Sequence, residues 1–337
     1  MNIRRIGLAV ILVGAILLVP AASRAGNLGI DIIGLFPKDI GEFAYADLKK
    51  ARQLKWFPQL KEQMLPSRFR QFEQFLAAAG VDPNTQVDEL AWALMATHKS
   101  KPGDDSHDSP GVTGEQIVGV ALGQFSPNAA EEFFKAQKLV TRKVRGYTLF
   151  AFGSGVGPSD LFFFFIDSNT AAFGHRESLE KLIEVRFGAE EGLLRNEKLF
   201  PLINETNGRG VVWMVLDPAY TRLAMQQLLP EAGRFPQSVQ LVSRLQALMI
   251  NIEASSGVDA RFQAVCNTPD EANTFAAMLQ AGLMYRRYQE GQNNPELARL
   301  LDDTRITPRG DRLELRLALT DEQMKTLISR NTFAVKM

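Results

Sequence analysis

An apolar strand that ends on aspartate and passes straight into a helix occurs twice in this chain, and that recurrence constrains the fold more than any single motif. The first copy is Glu42-Phe43-Ala44-Tyr45-Ala46-Asp47-Leu48, preceded by Leu35-Phe36-Pro37 and followed by a helical stretch containing Leu65-Pro66. The second is Gly210-Val211-Val212-Trp213-Met214-Val215-Leu216-Asp217, preceded by Leu199-Phe200-Pro201 and followed by a helical stretch to Leu229-Pro230. The order then continues in step. Val87 to Thr97 and Leu248 to Ser255 read as apolar strands, and Gln116–Gln124 and Val258–Cys266 follow them. Next come two helix starts, Ser126-Pro127 and Thr268-Pro269, a capping residue followed by proline at the first helical position. Ala130 matches Ala272 and Phe133 matches Phe275 at the same offset as the prolines. Thr268 with Glu271 also has the spacing of a capping box. Arg145-Gly146 and Arg309-Gly310 each introduce a further strand, Tyr147–Phe152 and Leu313–Leu319. Each half closes on a short amphipathic helix, Glu177–Arg186 and Asp321–Ser329, the second capped by Thr320 and Gln323.

The pattern reads as one unit used twice, β-α-β-β-α-β followed by a helix. That order is shared with the ferredoxin-like split βαβ motif. The expected fold is α+β: two tandem ferredoxin-like units, each an antiparallel sheet with helices packed on one face. The first unit should span 26–187, with an extra hairpin over 147–174 and a mobile loop over 99–114. A helical link over 188–207 should lead to the second unit, 208–337. Within the hairpin, Asp160-Leu161-Phe162-Phe163-Phe164-Phe165-Ile166-Asp167 is apolar at every interior position, so this strand should be covered on both sides.

Residues 1–25 read as a signal peptide. Arg4 and Arg5 supply the basic start, Ile6 to Val19 the apolar run, and Ser23 with Ala25 the small-residue cleavage site. The run is shorter than the roughly 20 residues a spanning helix needs, so a stable membrane span after cleavage is not expected. The chain carries 38 basic and 38 acidic residues. Losing Arg4, Arg5 and Arg24 with the leader would leave the mature chain weakly acidic, which is no electrostatic footprint for nucleic acid. Cys266 is the only cysteine, so no internal disulfide can form, and its place at the end of an alternating run reads as a buried inert thiol.

No motif supplies catalytic residues. His98, His107 and His175 have no metal-ligand spacing, and Asp104-Asp105-Ser106-His107-Asp108 lacks the order of a calcium loop. Gly153-Ser154-Gly155-Val156-Gly157-Pro158 is glycine-rich, but a strand stands on each side where a phosphate cradle needs a helix after it. Ser154 sits in no nucleophile elbow. His175 stands at a strand-to-helix junction and reads as a cap or surface residue, and Asp47 and Asp217 read as N-caps. Tyr285-Arg286-Arg287-Tyr288 reads as a solvated helix face. No cofactor and no metal ion is expected.

Leu35-Phe36-Pro37 with Phe43-Ala44-Tyr45-Ala46-Asp47-Leu48 after a signal peptide, the turn Gly80-Val81-Asp82-Pro83, and Phe173-Gly174-His175 leading to Leu179 resemble a loose group of exported bacterial proteins of unknown function. In that group a signal peptide precedes duplicated α+β units. The resemblance implies no activity. The reading is therefore an exported, non-enzymatic binding or interaction module, periplasmic or extracellular, with another exported protein or an envelope component as partner. The rivals are an exoenzyme of hydrolase type with a site assembled from distant residues, and a membrane-tethered envelope-assembly protein.

Overall fold

The computed structural model of the protein describes residues 27–65, 67–96, 115–157, 160–228, 236–254, 257–290 and 301–330. The expected signal segment and the expected loop over 99–114, with His98, His107 and the Asp104–Asp108 run, lie outside these residues. In chain order the elements are α1 (Ile30–Ile33), β1 (Glu42–Asp47), α2 (Leu48–Ala51), α3 (Phe57–Met64), α4 (Ser67–Ala78), α5 (Pro83–Gln86), β2 (Val87–Ala96) and β3 (Glu115–Gly123). Then come α6 (Pro127–Ala136), β4 (Thr141–Val144), β5 (Tyr147–Phe152), β6 (Leu161–Phe165), β7 (Thr170–His175), α7 (Arg176–Arg186), a 3-10 turn (Leu193–Arg195) and α8 (Leu199–Thr206). The remainder is β8 (Val212–Leu216), α9 (Pro218–Leu228), α10 (Pro236–Ser243), β9 (Ala247–Glu253), β10 (Val258–Val265), α11 (Pro269–Glu290), β11 (Arg305–Arg309), β12 (Arg312–Leu319) and α12 (Asp321–Ser329). The protein is α+β with extensive antiparallel sheet. It divides into two compact units, Leu28–Lys49 with Leu65–Phe200, and Lys50–Met64 with Pro201–Met337.

In the first unit the strands lie in the order β1-β2-β3-β7-β6-β5-β4, and each neighbouring pair is antiparallel. Strand alternation sends Phe163 and Phe165 to one face and Phe162 and Phe164 to the other. Phe150, Phe163 and Phe173 stand opposite one another across β5, β6 and β7, and Phe173 stands opposite Gly119 of β3. A methyl on Gly119 would come within 2.3 Å of the Phe173 ring, so glycine is what lets that ring lie across β3. On this face Phe72 from α4 and Ala130 and Phe134 from α6 close a core with Phe150, Phe163 and Phe165. The opposite face is taken by α7, whose Leu179, Leu182 and Ile183 are buried. All five residues of β6 are buried, as a strand covered on both sides requires.

In the second unit the order is β8-β9-β10-β12-β11, again antiparallel throughout. Ala272, Phe275 and Ala276 of α11 are buried, and α11 packs on β11 and β12. The helix α3 is remote in sequence from the rest of this unit. It packs on α12, where Trp56 Nε1 donates to Asp321 Oδ1 at 3.2 Å and Gln63 Nε2 donates to the Ile328 carbonyl at 2.6 Å. The edge strand β11 carries Pro308, which has no N–H to offer, and its Ile306 carbonyl accepts from Gln280 of α11 at 3.3 Å.

These arrangements depart from the expected ferredoxin-like units in three ways. A split βαβ motif sets two parallel strands side by side, whereas every neighbouring pair described within each unit is antiparallel. Helices cover both faces of the β5-β6-β7 region rather than one, because β6 is apolar on both sides. The strand beside β10 is Arg312–Leu319 and the strand beside β3 is Thr170–His175, so Leu313–Leu319 does not correspond to Tyr147–Phe152. The stretch expected as a hairpin over 147–174 forms the antiparallel strands β5, β6 and β7, and β4 pairs with β5 through the turn at Arg145 and Gly146.

The helix starts also differ from expectation. Ser126 makes no side-chain cap on α6, and Phe134 rather than Phe133 is the fully buried phenylalanine there. Phe133 is half-buried at the edge of the same core. Thr268 does cap α11, accepting from the Glu271 N–H at 3.2 Å, while the Glu271 carboxylate accepts from the N–H of Asn267. Thr320 and Gln323 form the full reciprocal box at α12.

Candidate functional site

A group of half-exposed apolar side chains in the first unit surrounds an open groove of about 570 Å³. Four chain segments build it. The first runs through α1 and supplies Ile30, Asp31, Gly34 and Leu35. The second is the end of α7, with Val185 and Arg186 and the following Phe187; the 3-10 turn contributes Leu194, and the start of β5 contributes Tyr147. Backbone bonds fix the segment after α1 to the segment of the 3-10 turn, with Leu193 N–H on the Phe36 carbonyl at 2.7 Å and Lys38 N–H on the Glu191 carbonyl at 3.1 Å. Asn196 Nδ2 adds a bond to the Lys38 carbonyl at 2.8 Å.

The apolar residues of this groove are not left over from packing. Ile30 is 54 % exposed, Phe187 54 % and Leu194 42 %. A large apolar residue scattered singly on a surface needs no explanation, but three around one groove form a patch. Phe187 is held by its neighbours. Tyr147 packs edge-on to Phe187 at 6.4 Å and accepts from Arg186 Nε at 2.9 Å. The Arg145 guanidinium lies over the Phe187 ring, 5.9 Å from its centre, within cation–π range. Arg145 also holds Glu184 in a bidentate pair at 3.1 and 2.9 Å, and that donation keeps the Glu184 carboxyl below the usual carboxylate range. The backbone at Arg145 is left-handed, φ 48°, a conformation that an L-residue with a long side chain rarely adopts. Together with Gly146 at φ 91° it makes the tight turn that the right-handed twist of β4 and β5 demands.

The residues singled out in the sequence have structural duties. His175 is half-buried, and its Nδ1 accepts the N–H of Ile117 at 2.9 Å, so the imidazole replaces a strand partner at the end of β3. Asp217 caps α9 through its carboxylate, which accepts from the Tyr220 N–H at 2.8 Å. Asp47 is buried at the end of β1 and stands directly opposite Glu89 of β2. Tyr45, two residues earlier, donates to Glu89 at 2.8 Å; burial first, and then the Glu89 charge, push its phenol far up. Cys266 is buried, and burial followed by Glu271 and Asp311 pushes its thiol up to about 11. Met284, Tyr285 and Tyr288 are exposed at the end of α11, and Arg287 pairs with Asp302.

The glycine-rich segment from Gly153 to Gly157 is a hairpin loop between β5 and β6, and it is filled from within. The buried Asp160 carboxylate accepts from Ser154 Oγ at 2.7 Å and from the Gly157 N–H at 3.0 Å. A methyl on Gly153 would meet that carboxylate at 2.4 Å, so the loop closes around its own anion. Among the described residues, no three His, Cys, Asp or Glu side chains gather where they could hold a metal ion. No helix of the described residues is long and apolar enough to cross a membrane.

No signal in the sequence marks the groove. Ile30, Leu194 and Phe187 lie in segments that carry no motif, and only Arg145-Gly146 stands out as turn punctuation. No protein-family model matches the chain, and no curated protein matches it. Among solved structures it is similar to crystal form III of TP0453, at 11 % identity and a TM-score of 0.50, covering 90 % of this chain and 99 % of that one. Crystal form I of TP0453 matches at 14 % identity and a TM-score of 0.49, over 90 % of this chain and 99 % of that one. At such identities the likeness is one of fold alone.

Proposed function

We propose that this protein is an exported, non-enzymatic binding module whose contact surface is the apolar groove of the first unit. The observation that carries the reading is the clustering of Ile30, Phe187 and Leu194, all half-exposed, around one open groove. A patch of this kind rimmed by polar residues is the usual mark of a surface that meets another molecule. Export rests on the leader-like residues 1–25, and the partner is accordingly another exported protein or an envelope component. The test is panning of a displayed random peptide library against the full chain made in an exporting host. Clones should be recovered whose binding falls below detection on the Ile30→Ser/Leu194→Ser variant, while its thermal midpoint stays close to that of the parent. Binding that survives those substitutions would remove the groove from the account. Intact mass of the same preparation should show a chain beginning at Gly26, and a mass beginning at Met1 would overturn export with cleavage.

The two units are also proposed to derive from one repeated element. Support comes from their strand orders, since β1-β2-β3-β7-β6 and β8-β9-β10-β12-β11 run alike, and β7 and β12 each lead directly into a helix.

A further inference from the structure

The charges at the groove narrow what can lie in it. Two arginines beside α7 already have carboxylates: Arg142 pairs with Glu180 at 2.6 Å and Arg145 with Glu184 at 2.9 Å. Arg186 has none. Its Nε donates to the Tyr147 hydroxyl, and the rest of its guanidinium makes no ion pair among the described residues. Asp31, also lining the groove, has no ion pair or hydrogen-bond donor to its carboxylate among the described residues. Among the described residues the groove therefore presents one cation and one anion without an ion-pair partner, and apolar walls from Ile30, Phe187 and Leu194.

Resting on the binding reading above, we infer that the groove takes an extended peptide segment of a partner protein. An apolar side chain of that segment sits against Ile30, Phe187 and Leu194, an acidic residue meets Arg186, and a basic residue on the other side meets Asp31. A guanidinium with free N–H groups is suited to bidentate recognition of a carboxylate, which adds direction to an otherwise non-directional apolar contact. Complementary charge at such a rim fixes register and partner choice more than it adds affinity. A peptide is favoured over a small molecule by the exposure of the walls. Ligand pockets enclose 70–90 % or more of a drug-sized ligand as a rule, whereas three principal wall residues here are 42–54 % exposed and suit a segment that brings its own covering surface.

The experiment uses the groove-dependent peptides from the same panning, with affinities measured on the full chain by fluorescence anisotropy. They should share an apolar anchor with an acidic residue on one side and a basic residue on the other. Arg186→Glu should weaken them by about three- to tenfold, the range expected for exchanging a rim attraction for a repulsion. Replacing the peptide acid by lysine should restore binding to Arg186→Glu, and Asp31→Lys should show the reciprocal rescue with the basic position. High salt should erase these differences and leave the apolar part. Groove-dependent peptides with no charge pattern, or an Arg186→Glu variant that binds them unchanged, would overturn this inference and leave the binding reading standing. Absence of any groove-dependent peptide would overturn both.

Discussion

The helices α6 and α11 begin alike in sequence, with a hydroxyl residue, proline, an alanine three residues on and a phenylalanine six residues on, yet they pack differently. In α11 the matched residues do the work: Thr268 caps, Ala272 and Phe275 are buried, and the sheet beneath has five antiparallel strands. In α6 the serine does not cap, and burial shifts by one residue to Phe134. The reason lies in what α6 faces. The first unit adds β4 and β5, and the aromatic layer of Phe150, Phe163 and Phe72 draws Phe134 inward, with rings centred 5.2 Å and 4.9 Å away on Phe150 and Phe163. Like punctuation sets where a helix starts, but the partners assembled from distant strands decide which residue it buries.

The largest effect that would break this comparison is at the phenylalanines. Phe134→Ala and Phe275→Ala should each destabilise by about 3–5 kcal/mol, as large-to-small changes in closed cores do. Phe133→Ala should cost about 1 kcal/mol, in keeping with a side chain only partly removed from water. Urea unfolding of the three variants reads this directly, and equal losses at Phe133 and Phe134 would mean that the matched sequence positions had been right after all. Smaller differences are expected at the helix starts. Thr268→Ala and Thr320→Ala should each cost about 1 kcal/mol, and Ser126→Ala should change stability by less than about 0.5 kcal/mol. A full capping loss at Ser126 would make the two starts equivalent.

The smallest effect concerns acid. Glu271 is held below the usual glutamate value of 4.5, first by donation from Asn267, then by Arg244, against an opposing contribution from desolvation. A carboxylate lowered in the folded state contributes stability above its unfolded value and loses it as the pH falls through its folded value. The parent chain should therefore be more stable than Glu271→Gln near pH 6, and the two unfolding midpoints should converge below pH 4. A gap that persists at pH 3 would assign the effect to packing instead.

Local features could be read from residue order. The run Leu161–Phe165 announced a strand covered on both faces, and the reciprocal cap of Thr320 and Gln323 and the Asp217 cap followed from spacing alone. Strand order could not be read in the same way, because apolar alternation says which face a strand buries and not which neighbour it finds. The groove was illegible for a related reason: Ile30, Tyr147, Phe187 and Leu194 come from separate segments, and an exposed apolar residue has no sequence signature distinguishing it from a buried one. His175 looked like a cap, and its true partner is an N–H of Ile117, 58 residues earlier.

The bond between Trp56 and Asp321 reaches across 265 residues, and that of Gln63 with Ile328 equally far. Any continuous fragment that contains the whole second unit thus also carries residues 65–200 of the first. A piece beginning at Pro201 would lack the helix that lies against α12, and a single proteolytic cut between the units cannot set both free intact. During synthesis Trp56 emerges long before its partner exists, so this packing can close only when nearly the entire polypeptide is free. Loop closure over such a span is slow compared with neighbouring contacts. A chain built in this way keeps its second unit incomplete until α12 has been synthesised.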